Sequence, residues 1–167
     1  VQTMAYEPML LMVALGFYLA SGSFSVGDIL TGAHMNILRM PGIFFGLCFI
    51  LLIKFRKSPF DISMSHEAHQ ELIGGLKTEI SGRTLAVVEI AHWYENVFLF
   101  GLVLLFFASD TWWTWLLGLA ICEIVFFAEI LIDNCCARIK WERMLASTWL
   151  VGLMAGFLNI VFLMYFK

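Results

Sequence analysis

The chain has 167 residues, 61% of them hydrophobic and only 14% charged, with 16 Phe and 6 Trp. At a mean hydropathy of +0.87, a soluble domain of this length has too small a core to hide that much apolar surface, so lipid must cover part of it. The net charge of −3 gives no electrostatic footprint for nucleic acid. No charged n-region with a short apolar stretch and a cleavage site opens the chain, so no signal peptide is expected, and the opening Val1 leads us to expect residues before it.

Taken in order, the chain divides at its charges. Pro8 to Gly27 carries none, and Pro41 to Ile53 carries none between Arg39 and Lys54. Thr84 to Ser109 is apolar except for Glu89, His92 and Glu95. Thr111 to Ile132 is apolar except for Glu123 and Glu129, and Met144 to Phe166 is uncharged. A spanning helix needs roughly 20 apolar residues for a hydrocarbon core about 30 Å thick. The Pro41 stretch is shorter, but Arg39 and Lys54 at its ends can snorkel outward. Inside lipid the backbone must satisfy its own hydrogen bonds, and continuous apolar runs without strand alternation make helices the answer. The expectation is an all-α integral membrane protein: a single membrane domain over 1–167, with five transmembrane helices at 8–27, 41–53, 84–109, 111–132 and 144–166. One large cytoplasmic polar loop occupies 54–83.

Orientation follows from the basic residues. Five spans put 54–83 and 135–143 on one side, with Lys54, Arg56, Lys57, Lys77, Arg83, Arg138, Lys140 and Arg143. The other side has only Arg39 and Lys167. The basic side is read as cytoplasmic, and Trp112, Trp113 and Trp115 as marking the outer interface.

The long loop holds a dense polar patch, KSPFDISMSHEAHQELIGG, from Lys57 to Gly75. Pro59-Phe60-Asp61 reads as a turn, since Pro59 restricts Ser58 to extended geometry. From Ser65 the pattern suits a short helix ending at Gly74-Gly75. Glu67 and Glu71 share one face, and His69 lies about 160° from Glu71 on the other. The plain reading is a solvated loop helix. A metal site fits poorly: His66 and His69 are spaced i,i+3, whereas the zinc protease pattern needs i,i+4. Cys48 and Cys122 fall inside spans, Cys135 and Cys136 are adjacent, and no C-x-x-C pair occurs.

Carboxylates at bilayer depth cost enough that their default reading is functional. Glu89, His92 and Glu95 fall within about 120° on one helix, and Glu123, Glu129 and Asp133 within about 120° on the next. Glu95 lies about 16 Å from the inner end of its span. Two such stripes facing each other would make a buried polar path. The structural alternative is a carboxylate closing a helix–helix contact, or Glu89, Glu129 and Asp133 simply reaching water near the span ends.

SPFD followed by EAHQELIGGLKTEISG resembles the large cytoplasmic loop of the membrane subunit shared by respiratory complex I (its subunit 1) and the energy-converting nickel–iron hydrogenases. Pro59, Phe60 and Asp61 match the start of that loop. Glu67 and Glu71 fit two of its glutamates, and Glu79 with Ser81-Gly82 fits its end. Tyr6-Glu7 fits the opening of the family's fourth helix, and Arg138, Lys140 and Glu142 fit the basic-aromatic run before its last. The resemblance covers the last five of the family's usual eight helices.

Departures point to a branch. His69 and Lys54 stand where complex I has glutamates, and Met64 to His66 are extra. SPFDISMSHEAHQE and VEIAHWYE are closer to the Ech-type hydrogenases. The resemblance therefore implies the membrane anchor and coupling subunit of a ferredoxin-dependent, proton-reducing nickel–iron hydrogenase, in a prokaryotic plasma membrane. It implies no catalytic residue, metal or cofactor in this chain. The nickel–iron centre and iron–sulfur clusters are expected in partner chains, the hydrogenase large and small subunits docked at the loop. An antiporter-like membrane subunit is the other expected partner. Asp61, Glu67, His69, Glu71 and Glu79 would form the coupling loop. Glu7, Glu89, His92, Glu95, Glu123, Glu129 and Asp133 would form a proton path. The rivals are a quinone-site subunit of complex I or a related dehydrogenase, and a stand-alone transporter or structural anchor.

Overall fold

A computed structural model describes residues 2–32, 35–55, 80–136 and 141–165. Helix α1 (Gln2–Ser21) ends where Gly22 adopts φ +79°. A left-handed residue stops a helix, and the Gly22 N–H closes the end by donating to the Tyr18 carbonyl at 2.7 Å. The Ser21 hydroxyl donates to the Phe17 carbonyl, also at 2.7 Å. The helix thus ends at Ser21, although the uncharged run continues to Gly27. Absence of charge reports tolerance of lipid, whereas the backbone at Gly22 decides where the helix stops. A short helix, α2 (Val26–Leu30), and a 3-10 turn (Asn36–Leu38) lead to α3 (Pro41–Lys54).

Pro41 begins α3, where its missing N–H costs nothing. One remaining free donor at this helix start, the Ile43 N–H, is 3.4 Å from Asn159 Oδ1, and Asn159 Nδ2 donates to the Arg39 carbonyl at 3.3 Å. Lys54 is the last residue of α3 and so belongs to a helix, not to the loop expected to begin there.

Helix α4 (Gly82–Phe107) and α5 (Trp112–Cys135) form an antiparallel hairpin. Its turn is held by the Ser109 N–H donating to Thr114 Oγ1 at 3.1 Å, and by Trp115 Nε1 donating to the Ser109 carbonyl at 3.2 Å. The last long helix is composite: α6 (Trp141–Val151), a π-helical stretch (Gly152–Phe157) and α7 (Leu158–Tyr165). The π-helical stretch lies against α3. A Cβ on Gly42 would sit 2.6 Å from the Ala155 carbonyl oxygen, so glycine permits the close approach.

Among the described residues there is no strand, and three helices are long and apolar enough to cross a membrane: α4, α5 and the composite Arg143–Tyr165. Tyr6–Ser21 and α3 are shorter apolar helices. This is an all-α membrane protein. Its core is built from Met9, Val13 and Phe17 of α1, Ile43, Leu47 and Ile50 of α3, and Leu99, Val103 and Phe106 of α4. Phe106 meets Phe17 at 4.8 Å and Phe44 at 5.3 Å between ring centroids. A second cluster joins Leu52 and Ile53 to Met144, with Ile132 of α5 against it. Helix α5 packs mainly on α4, and buries only Thr114, Gly118 and Glu129 among its described side chains.

Candidate functional site

The length mismatch between α3 and α4 builds the site. Helix α3 has 14 residues and α4 has 26, and they run antiparallel with Phe44 against Phe106. The end of the short helix is therefore level with the middle of the long one. Lys54 closes α3, and Glu95 is the fourteenth of the 26 residues of α4, about 20 Å from its start at 1.5 Å per residue.

There Lys54 Nζ donates to Glu95 Oε1, forming an ion pair. His92, one helical turn before Glu95, places Nδ1 at 3.7 Å from Glu95 Oε2. Lys54 Nζ also lies 4.0 Å from the centroid of the Tyr6 ring, where the negative face of the π-system attracts a cation. Only 12% of the Lys54 side chain is exposed, against 38% of Glu95. Each charge makes the other tolerable at this depth: an ammonium or carboxylate left alone in a low dielectric is expensive, and a hydrogen-bonded pair is far less so. An imidazole, a carboxylate, an amine and a phenol ring now share one place. Chemically this group can hold, exchange and redirect a proton. A proton delivered to Glu95 would leave the Lys54 ammonium to the Tyr6 ring.

The other sequence-predicted residues are distributed around this centre. Glu89 is half-buried on the same face of α4, and Asp133 is half-buried near the end of α5. Glu129 is buried at 4% exposure, facing the bundle. Glu123, in contrast, is exposed. The acidic stripe of α5 is thus divided between the bundle and the lipid-facing side. Angles around one helix axis constrain residues relative to each other, but not which edge of a 120° arc meets the neighbour. Glu7 is exposed beside Tyr6. Asp61, Glu67, His69, Glu71, Glu79, Arg138 and Lys140 lie outside the described residues, and Glu142 is in the first turn of α6.

Among the described residues no group of three or more His, Cys, Asp or Glu is placed to hold a metal. Cys48 and Cys122 are half-buried within helices, Cys122 donating to the Phe100 carbonyl at 3.6 Å. An open apolar hollow of about 450 Å³ lies at the Trp113 end, lined by Met35, Trp113, Thr114, Leu116 and Leu117. It carries no charged group.

Two site residues escaped the sequence reading, Tyr6 and Lys54. Lys54 read as a snorkelling residue at a helix end. The signal that could have found it was its place: a cation where the resembling family has a glutamate, in a chain with few cations to spare.

The fold and the site define a class: a polytopic α-helical membrane protein with an ion pair and a histidine within its spans. The chain belongs to the NADH dehydrogenase family, whose model matches residues 1–164. It is similar to the H subunit of the NADH-quinone oxidoreductase of Syntrophotalea carbinolica, with 26% identity over 96% of this chain and 49% of that protein. It is 28% identical to the second H subunit of the NADH-quinone oxidoreductase of Cereibacter sphaeroides, over 96% of this chain and 52% of the relative. NADH-ubiquinone oxidoreductase chain 1 of Pongo pygmaeus is 27% identical over 66% of this chain and 34% of its own length. The chain spans about half the length of the bacterial relatives. No solved structure matches it. The relationship to complex I subunit 1 thus stands at the family level, while the narrower hydrogenase assignment receives no support from these relatives.

Proposed function

We propose that this chain is a non-redox membrane subunit of a quinone-reducing oxidoreductase complex of the NADH dehydrogenase type. In this reading the Lys54–Glu95–His92 group passes charge between the polar segment after α3 and the helix bundle. The observation that carries it is the ion pair itself, placed where the segment enters the membrane helices. Similarity to the bacterial NADH-quinone oxidoreductase relatives over 96% of the chain supports the setting. Lys54 contacts Glu95 and the Tyr6 ring together; in this reading protonation of Glu95 would loosen the first contact and leave the second, an exchange that both ends of a coupling path could bias. Asp61, Glu67, His69, Glu71 and Glu79 are proposed as the cytoplasmic end of that path, and Glu89, Glu123, Glu129, Asp133 and Glu7 as its membrane part. The redox centres belong to partner chains.

The test is a comparison in the native complex, reconstituted in vesicles. Glu95→Gln and Lys54→Met should leave NADH oxidation by an artificial acceptor near wild type and lower quinone-linked proton translocation severalfold. Unchanged translocation in assembled complexes would refute the role.

A second reading keeps the hydrogenase branch. Lys54, where complex I has a glutamate, and the SPFDISMSHEAHQE segment favour it. The purified native complex decides: hydrogen evolution from reduced ferredoxin, with no NADH-linked quinone reduction, selects the hydrogenase, and the opposite pattern selects the quinone reductase.

A further inference from the structure

Glu123 is the twelfth of 24 residues in α5, and is therefore about 16 to 18 Å from either end of the helix. That is the middle of a span. Its side chain is exposed, and the face around it is exposed and apolar: Leu116 at 48%, Leu119 at 54%, Ile124 at 64% and Phe127 at 66%. Among the described residues Glu123 makes no hydrogen bond or ion pair. The rest of α5 offers it no cation, since Trp112–Cys135 contains no Lys, Arg or His. Lys54, a basic residue within the bundle, is already engaged by Glu95.

A carboxylate at mid-bilayer depth facing lipid tails is among the most costly placements a membrane helix can have. Residues of this kind face a bundle interior, a water-filled cavity or a partner group. Helix α5 leans on α4 by its opposite face, through Gly118 against Leu104 and Phe107, so the described residues leave the Glu123 face uncovered. We propose that the Glu123 face of α5 is the seat of a transmembrane helix from another protein chain, one that presents a basic side chain to Glu123 at mid-membrane depth. Charge complementarity selects that occupant over a wholly apolar helix, which would leave the carboxylate uncompensated. Leu119, Ile124 and Phe127 supply the apolar contact around the pair. The inference concerns assembly and holds for either redox reaction considered above.

The test uses the full native complex in its own membrane. A photo-crosslinking amino acid is placed at Leu119 and, separately, at Phe127, with Leu11 on α1 as an exposed control. The expected result is one membrane-spanning protein crosslinked from both α5 positions and not from Leu11. The crosslinked peptide should contain a Lys, Arg or His within a turn of the attachment point. Glu123→Leu should insert at least as well as wild type, yet retain that protein more weakly by about tenfold or more on purification. Glu123→Lys should lose it as well, and changing the partner's basic residue to glutamate should restore it. Lipid adducts alone at both positions, or a crosslink to a helix of the same polypeptide, would overturn the proposal. So would a crosslinked helix with no basic residue at that depth, or full retention of the crosslinked protein by Glu123→Leu.

Discussion

Lys54 and Glu95 are 41 residues apart in sequence and joined by an ion pair within the helix bundle. The pair exists because α3 stops where α4 is only half way through its length. A longer α3 would carry its terminal lysine past Glu95 toward the start of α4. The relation between the two charges is thus a consequence of helix length, and it makes the pair sensitive to loss of either member.

Lys54→Met leaves Glu95 without its cation, and Glu95→Gln leaves the ammonium with only the Tyr6 ring. Each single change should destabilise the assembled protein by about 1–3 kcal/mol, below the figure for a fully buried pair because 38% of the Glu95 side chain is exposed. The double variant should recover most of that loss, since no uncompensated charge remains. Thermal inactivation of the native complex, arranged as a double-mutant cycle, measures the coupling. Additive losses would mean that the pair contributes nothing beyond its separate side chains.

Two glycines of α3 should respond differently to the same substitution. In Gly42→Ala the new methyl meets the Ala155 carbonyl oxygen at 2.6 Å and Asn159 Cβ at 3.1 Å, so backbone must move. A cost of about 1–3 kcal/mol is expected. In Gly46→Ala the obstruction is the end of the Met9 side chain, its Cε and Sδ. A thioether can swing aside, and alanine favours the helix by about 0.5–1 kcal/mol over glycine. The net change should be near zero. Equal effects at the two sites in a thermal unfolding series would contradict this account of helix packing.

Asn159 ties the last helix to the start of α3 by accepting from Ile43 N–H and donating to the Arg39 carbonyl. Asn159→Leu removes both partners and leaves a backbone donor buried without one. The expected loss is about 1–3 kcal/mol, measurable as a lower midpoint of thermal unfolding. Stability equal to wild type would show that the Ile43 N–H finds another acceptor.

The fold class was legible because charges are so sparse. The runs bounded by Thr84 and Ser109, and by Thr111 and Ile132, fall within a few residues of α4 and α5. The end of α1 was not legible in this way, since Gly22 acts through backbone conformation and not through hydropathy. In the candidate site, His92 and Glu95 could be placed together because i,i+3 neighbours share a face. Their partners Lys54 and Tyr6 could not, because their arrival depends on how far α3 and α1 extend against α4. Likewise the sequence put Glu123 and Glu129 on one arc, but only packing shows that Glu129 turns toward the bundle and Glu123 away from it.

Topology gives the last prediction. The antiparallel pairing of α3 with α4 and of α4 with α5 places Ile80–Ser81 and Cys136 at one end of the bundle, opposite the Ala108–Thr111 turn. The contact of Met144 with Leu52, Ile53 and Ile132 brings the start of the composite helix to that same end. Arg83 and Arg143 lie near that end, and in sequence the stretches 54–83 and 135–143 together carry eight of the ten Lys and Arg residues. Basic residues are retained on the cytoplasmic side during insertion. In a background without reactive native cysteines, Ser81→Cys should react with a membrane-impermeant maleimide only after the cytoplasmic face is opened. Thr111→Cys should react in intact cells. Both positions reacting from one side would break the hairpin described here. A clean reversal would leave the fold standing but move the polar segment, and with it the proposed coupling site, to the outer face, where a cytoplasmic redox partner has no access to it.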